Sequence, residues 1–421
     1  MTALPALVLG GGIGGLAAAL ALAKKGCRVR LFEQGSELKE IGAGIQLGPN
    51  VYHMFEVLGL TAAIERWSAH PENLIMMDAL TGEEVTRLPV GSGAFRKRFR
   101  GYRYGVIHRG DLYQVLLEAC RAEKNVELSE KRKGLRFEDR SERVVLHMEG
   151  GEAIEGACLI GADGLWSKVR AQLLGDGKPR VSGHIAYRAV LKRADVPDDL
   201  WQNNVVLWAG PRTHLVHYPL RGGELYNLVA VFHSDKYEEG WDVYGDPEEL
   251  KRKFENERPE VQRLLDKINV WKMWVLCDRE PARHWSKGCA TLLGDAAHPT
   301  LQYLAQGANM AIEDAVVLAA YGEITGFDWE KTFLLYEDAR YKRTARVQIM
   351  SRYYGDAYHA AGVVRELRND ILAPKPGAAP DFESVAWLYN GITLPQAAKK
   401  GDPAPAEGGD LHRPGRQQIR P

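Results

Sequence analysis

The feature that most constrains this 421-residue chain is its opening. An apolar run over Ala6–Leu9 leads into glycines at 10, 11, 12, 14 and 15. An alanine- and leucine-rich stretch follows to residue 25, then a second strand pattern over 28–32 that ends at Glu33. This order predicts strand, tight turn, helix, strand. In the fingerprint Gly10-x-Gly12-x-x-Gly15 the glycines permit the turn, close approach of a pyrophosphate, and tight packing of helix on strand. The helix N-terminus favours phosphate charge, and an acid after the second strand binds a ribose hydroxyl. The expected class is α/β, with a Rossmann-like dinucleotide domain. On these residues alone FAD and NAD fit equally well, and a non-catalytic dinucleotide-binding protein remains open.

Residues 2–23 carry no charge and are long enough to suggest a membrane span. No basic segment precedes them, however, five glycines interrupt them, and a charged strand pattern follows at once, so no span is expected. Lys+Arg and Asp+Glu number 55 each, and such a balance argues against a nucleic-acid partner. The five cysteines, at 27, 120, 158, 277 and 289, have neither metal-ligand nor disulfide spacing. A reducing, cytoplasmic compartment and no metal are expected.

Helix signals lie at Pro49 to about Gly59, at 111–123, 307–320 and 330–356. Strand patterns occupy 106–108, 142–147, 154–160, 185–191, 203–209, 214–219, 225–232 and 289–294. The arrangement predicts a dinucleotide-binding domain built from 1–75, 106–180 and 281–397, the last part with C-terminal helices. A β-sheet substrate domain from 76–105 and 181–280 is inserted in it. Residues 398–421 lack the apolar spacing needed to offset ordering entropy and read as a disordered tail.

Two further segments bear on the cofactor. CLIGADG at 158–164 sets Asp163 and Gly164 after an apolar strand, and LGDAAH at 293–298 sets Asp295 after another. Either acid alone reads equally well as a helix-capping or turn carboxylate. In this order with the fingerprint, they resemble the group A flavoprotein aromatic hydroxylases over about residues 5–390. Arg109, in HRGDL, matches the arginine that this family places beside FAD. The resemblance implies tight, non-covalent FAD, with Glu33 at the adenosine ribose and Asp295 at the ribityl chain. Asp163 and Gly164 would support FAD and the approach of the nicotinamide, and Gly44, in the loop 42–45, would run along the isoalloxazine. Gly307, Ala308 and Asn309 would lie at a helix N-terminus beneath the flavin, where backbone N–H groups favour negative charge. With no second GxGxxG, NADH would dock transiently, O2 would be co-substrate, and the enzyme would be a homodimer.

Substrate choice falls to RTHLVHYP at 212–219. As a strand it puts His214, Val216 and Tyr218 on one face, with Leu215 and His217 on the other. A strand histidine is more often structural than chemical, and these residues alone do not decide. With Gln302, however, His214 and Tyr218 resemble the active-site set of 3-hydroxybenzoate 6-hydroxylases, whereas salicylate hydroxylases carry a more apolar residue in place of Gln302. The resemblance implies para-hydroxylation of a small aromatic acid, 3-hydroxybenzoate, at C6 to gentisate, through a flavin C4a-hydroperoxide. His214 would be the base, Gln302 would steer the phenol, and Tyr218 would contact the ring. The alternative is salicylate 1-hydroxylation to catechol and CO2. Asp78 and Tyr104 are secondary pocket candidates, equally readable as a turn acid and a core-edge aromatic. Arg340, Arg343 and Arg346 share a helical face and read as anchors between domains or subunits. The run Trp387–Tyr389 reads as packing.

Overall fold

The computed structural model describes residues 4–35, 43–234, 243–268, 270–375 and 377–395. Parallel strands that are covered on both faces are largely apolar, as the central ones are here, whereas the edge strand Val126–Ser129 is more polar and partly exposed. Five parallel strands run side by side in the order Ala290–Leu292, Cys158–Gly161, Ala6–Leu9, Val29–Phe32 and Val126–Ser129, with Ser286–Lys287 antiparallel at one edge. Helix Ile13–Lys24 is apolar on every side because it lies between this sheet and helix Gly307–Thr325. Small residues set the approach: a Cβ on Gly14 would stand 2.9 Å from Leu293 and 3.2 Å from Ala311.

The single strand expected over 154–160 is two. Ala153–Gly156 pairs in an antiparallel sheet with Val144–Met148, which also pairs with Gly134–Asp139, while Cys158–Gly161 joins the parallel sheet. The Ala157 N–H donates to the Pro5 carbonyl at 2.9 Å and hands the chain from one sheet to the other. A continuous apolar run does not reveal such a change of partner.

The inserted sheet has eight strands, in the order Val243–Tyr244, Lys272–Asp278, Arg180–Lys192, Leu225–His233, Thr213–Leu220, Val205–Gly210, Leu74–Asp78 and Glu84–Leu88. Its first segment begins two residues before the expected boundary at 76, and Lys272–Asp278 is a strand that the sequence pattern did not mark. One face packs Tyr187, Leu215, Phe232 and Trp271 against Leu250, Phe254 and Leu264, from the region of helices Pro247–Lys253 and Pro259–Leu265. The other face looks toward the dinucleotide half. Between the halves runs a two-stranded ribbon, Gly44–Leu47 with Gly105–His108. Helix Trp329–Tyr358 packs on Gly307–Thr325, and helix Gly362–Leu372 closes over the outer strand Glu84–Leu88. Among the described residues no helix is long and apolar enough to cross a membrane. The expected disordered tail, 398–421, lies outside the described residues, as does Gly42.

Candidate active site between the two sheets

In the dinucleotide half the three fingerprint glycines divide their tasks. Gly10 has φ +112°, and a Cβ there would fall 2.2 Å from the Ala162 carbonyl oxygen; one on Gly15 would fall 1.9 Å from that of Gly10. These two are packing glycines. Gly12 faces open space, with nothing within 4 Å of a would-be Cβ. Helix Ile13–Lys24 starts there without a capping side chain and without an acid in its first turn, so its N–H groups are left for an anion. Glu33 accepts from the Gly11 and Gly35 N–H groups, each at 2.7 Å, which ties the turn to the end of the second strand.

Asp295 is exposed on its own side chain yet surrounded by protein, as expected at the floor of a cleft. The enclosure pushes its carboxyl up, against the pull of Arg109 and His298. The turn that carries it is braced from behind. The Gly294 N–H and His298 Nε2 meet Asp314 Oδ2 at 3.0 and 2.7 Å, and the fully buried Arg340 donates to Asp314 Oδ1 at 2.7 Å. Asp163 is used differently: its oxygens accept from Ser167 Oγ and from the N–H groups of Lys168 and Val169, at the start of helix Lys168–Leu174. The capping reading of that acid thus describes its contacts. Gly164, at φ +76°, is open. The Arg109 N–H donates to the Ala43 carbonyl at 3.0 Å. Gly307 and Ala308 begin helix Gly307–Thr325, and Asn309 donates to the carbonyls of Ala305 and Gln46 at 3.1 and 3.3 Å. An open glycine, an uncapped helix terminus and an accessible acid together fit a dinucleotide laid along the carboxyl ends of the parallel strands.

The pairing of the inserted sheet sets residues in rows across its inward face. One row runs Asp78, Ala209, His214, Val231, Ala186; the next runs Met76, Leu207, Val216, Val229, Arg188; a third holds Tyr218, Asn227 and Val190. His214, Val216 and Tyr218 therefore share a face as expected. His217 is turned away, where it accepts from the Trp208 indole at 3.1 Å. The two halves meet at Gly44. Its N–H donates to Asn227 Oδ1 at 2.7 Å, and a Cβ on it would stand 2.5 Å from the Tyr218 ring.

His214 is 2% exposed, and burial, with His184 nearby, pushes its imidazole down to about 3. It is neutral at physiological pH and available as a proton acceptor. Its Nδ1 lies 2.7 Å from His359 Nε2. Gln302 turns its carbonyl oxygen to Arg188, whose guanidinium also stacks over Trp274 at 5.3 Å. Burial pulls Arg188 down to about 10; its Nε has no hydrogen-bond partner, and it makes no ion pair among the described residues. An enclosed cation without a counter-charge invites an anion.

Two pocket candidates take other parts. Asp78 shares a row with His214, but its oxygens already accept from the N–H groups of Leu80 and Thr81, from Arg365 and Arg368, and from Asn369. Burial raises this carboxyl, yet those donors outweigh it and hold it at about 2. Asp78 is the turn acid, and it clamps helix Gly362–Leu372 to the sheet. Tyr104 donates to Gln46 Oε1 at 2.5 Å and packs edge-on to Tyr389, which is the core-edge reading. The arginine face is an anchor within the chain. Arg343 pairs with Glu313 and donates to the carbonyls of Trp387 and Leu388, while Arg346 lies 4.2 Å over Trp387. Sequence reasoning missed Arg188, Asn227 and His359. Arg188 had a signal: a lone charge at an inward position of the apolar strand 185–191. Nothing local marks His359.

A family model for an FAD binding domain matches residues 3–341. A 3-hydroxybenzoate 6-hydroxylase of Polaromonas naphthalenivorans is 46% identical over 388 residues, covering 92% of this chain and 96% of that protein. The 3-hydroxybenzoate 6-hydroxylase 1 of Aquipseudomonas alcaligenes is 44% identical over 391 residues, 92% and 98% of the two chains. Among solved structures, Klebsiella pneumoniae HpxO complexed with FAD and uric acid matches with a TM-score of 0.78 at 25% identity, covering 88% of this chain and 92% of that one.

Proposed function

The chain belongs to the FAD binding domain family, and from that premise we propose that it is an FAD-dependent 3-hydroxybenzoate 6-monooxygenase yielding gentisate, the activity its relatives' names carry. Bound FAD supplies the redox and oxygen chemistry, with NADH as reductant and O2 as co-substrate. The protein supplies position, dryness and proton transfer.

The observation that supports this best is the pairing, on one sheet face, of a neutral buried imidazole with a half-buried guanidinium that makes no ion pair among the described residues. Arg188 takes the substrate carboxylate, while the apolar row of Val216, Leu207 and Met76 packs the ring. His214 Nε2 takes the phenolic proton, because the phenolate pushes more electron density to the carbon para to its oxygen. Gln302, its carbonyl engaged by Arg188, keeps its amide N–H groups for the substrate. Arg188 and His214 stand two strands and one row apart, which suits acid and hydroxyl groups at separate ring positions better than the adjacent pair of salicylate.

The test is product identification by HPLC with NADH consumption followed in parallel. A yellow protein should form gentisate one for one with NADH. His214→Ala should keep NADH oxidation but lower product per NADH about tenfold or more, with H2O2 making up the difference. Catechol and CO2 from salicylate, with 3-hydroxybenzoate inert, would overturn the substrate assignment. We infer a cytoplasmic homodimer, and the outward apolar face of Val363, Val364, Leu367 and Ile371 on helix Gly362–Leu372 supports the pairing. Sedimentation tests that state.

A further inference from the structure

We propose that His214, His359 and His233 form a proton relay that carries the substrate's phenolic proton from the buried sheet face to solvent, a role that rests on His214 being the base. The rings come from three elements. His214 lies in strand Thr213–Leu220, His233 ends strand Leu225–His233, and His359 caps the C-terminus of helix Trp329–Tyr358. His214 Nδ1 lies 2.7 Å from His359 Nε2, and His359 Nδ1 lies 3.0 Å from His233 Nε2. Both are hydrogen-bond distances, and each ring enters through one nitrogen and leaves through the other. His214 and His359 are buried, whereas His233 is partly exposed, so the series begins at the pocket and ends at the surface. Backbone bonds hold it in place: the Arg212 N–H donates to the His359 carbonyl at 3.0 Å, and the His233 N–H to that of Arg212 at 3.1 Å.

A relay answers a physical difficulty. Burial pushes His214 to about 3 and His359 well below the ordinary imidazole value. A lone base of that kind would hand a phenolic proton straight back. Passing it outward removes the charge, and His359 sits at the negative end of a 30-residue helix, where a transient imidazolium is favoured. The groups that face the series are His184, Tyr303 and Tyr358 within, and Arg212, Lys253 and Asp356 at the outer end.

The protons balance. The phenol O–H breaks as His214 Nε2–H forms; His214 Nδ1–H passes to His359 Nε2, His359 Nδ1–H to His233 Nε2, and His233 Nδ1–H to water. No electrons move in these steps. When the hydroxylated ring regains aromaticity the C6–H bond breaks and its proton goes to water, while the ring's phenolate oxygen takes a proton from His214 Nε2–H. The series then resets in the opposite direction. Nitrogens of His184, His233 and His359 lie within 4.8 Å of one another, a spacing also open to a metal ion. The two N···N contacts in series already engage both His359 nitrogens and favour the relay.

The test mixes holoenzyme with 3-hydroxybenzoate in weak buffer containing a pH-indicator dye and times proton release, with phenolate absorbance recorded alongside. H359Q and H233Q should bind substrate and accept hydride from NADH normally, yet release the proton about tenfold or more slowly. Wild-type release rates in both variants, with H214A slow, would overturn the relay and leave the base assignment standing. Fast release in H214A would instead overturn the base assignment. One equivalent of metal in the purified holoenzyme would also overturn the relay. Should H359Q fail to fold, H233Q, altered at the partly exposed end, decides the question by the same measurement.

Discussion

The two sheets solve opposite problems. The parallel sheet offers a dinucleotide mostly backbone: a glycine turn and a helix terminus within the first 24 residues, with one accessible acid, Asp295, far along the chain. In the proposed function the eight-stranded sheet would position its ligand with side chains, drawn from strands that begin at 74, 180, 205, 213 and 225 and aligned only by pairing register. A backbone site tolerates almost no change at its turn. A side-chain site is a set of rows, and each row can be altered by itself.

That contrast can be broken most severely in the turn. Gly15→Ala puts a Cβ 1.9 Å from a carbonyl oxygen that cannot move without the first strand, and it should give a colourless or insoluble protein. Visible absorbance of the purified variant is the check. In the rows, Arg188→Met should leave flavin content and melting temperature intact while raising KM for 3-hydroxybenzoate about a hundredfold, with kcat much less affected. Equal loss in both parameters would instead place Arg188 in the chemical step.

A third comparison uses pH. In the eight-stranded sheet His184, His214 and His217 are pushed to about 4, 3 and 3, all below the ordinary 6.5. Their burial as neutral rings stabilises the fold fully above pH 6.5, and that contribution is lost as pH falls toward those lower values. The melting temperature should therefore drop between neutral pH and about pH 5, and hydrogen exchange should show strands 180–192 and 213–220, which carry these histidines, opening before the parallel sheet. Simultaneous opening would mean that the halves unfold as one unit. The smallest effect belongs to Asp163→Ala, which removes acceptors from the start of helix Lys168–Leu174 at a cost of about 1 kcal/mol. Loss of flavin beyond that cost, seen by titration, would give Asp163 a part in cofactor binding.

The same contrast explains what the sequence disclosed. The glycine turn and helix Pro49–Leu58, stopped at Gly59 in the left-handed conformation, were legible because their causes lie within a few neighbouring residues. Strand parity correctly sorted His214 and Tyr218 from His217, since alternation is also local. Pairing is not local. Nothing near residue 188 says that its strand lies two places from residue 214, and nothing near 359 says that a helix end will meet them both. Asp78 shows the complementary difficulty: it occupies the right row, but donors nearly 290 residues further along claim its oxygens.

The contact at Gly44 limits how such a scaffold can diversify. With the Tyr218 ring against that glycine and Asn227 bonded to its N–H, neither the loop nor the third row can shift without disturbing both halves at once. Descendants of this architecture that act on other aromatic acids should therefore vary at Met76, Leu207, Val216 and Arg188, leaving the Gly44 contact between the halves unrevised. The molecule thus separates the part that can be retooled from the part that has to be inherited whole.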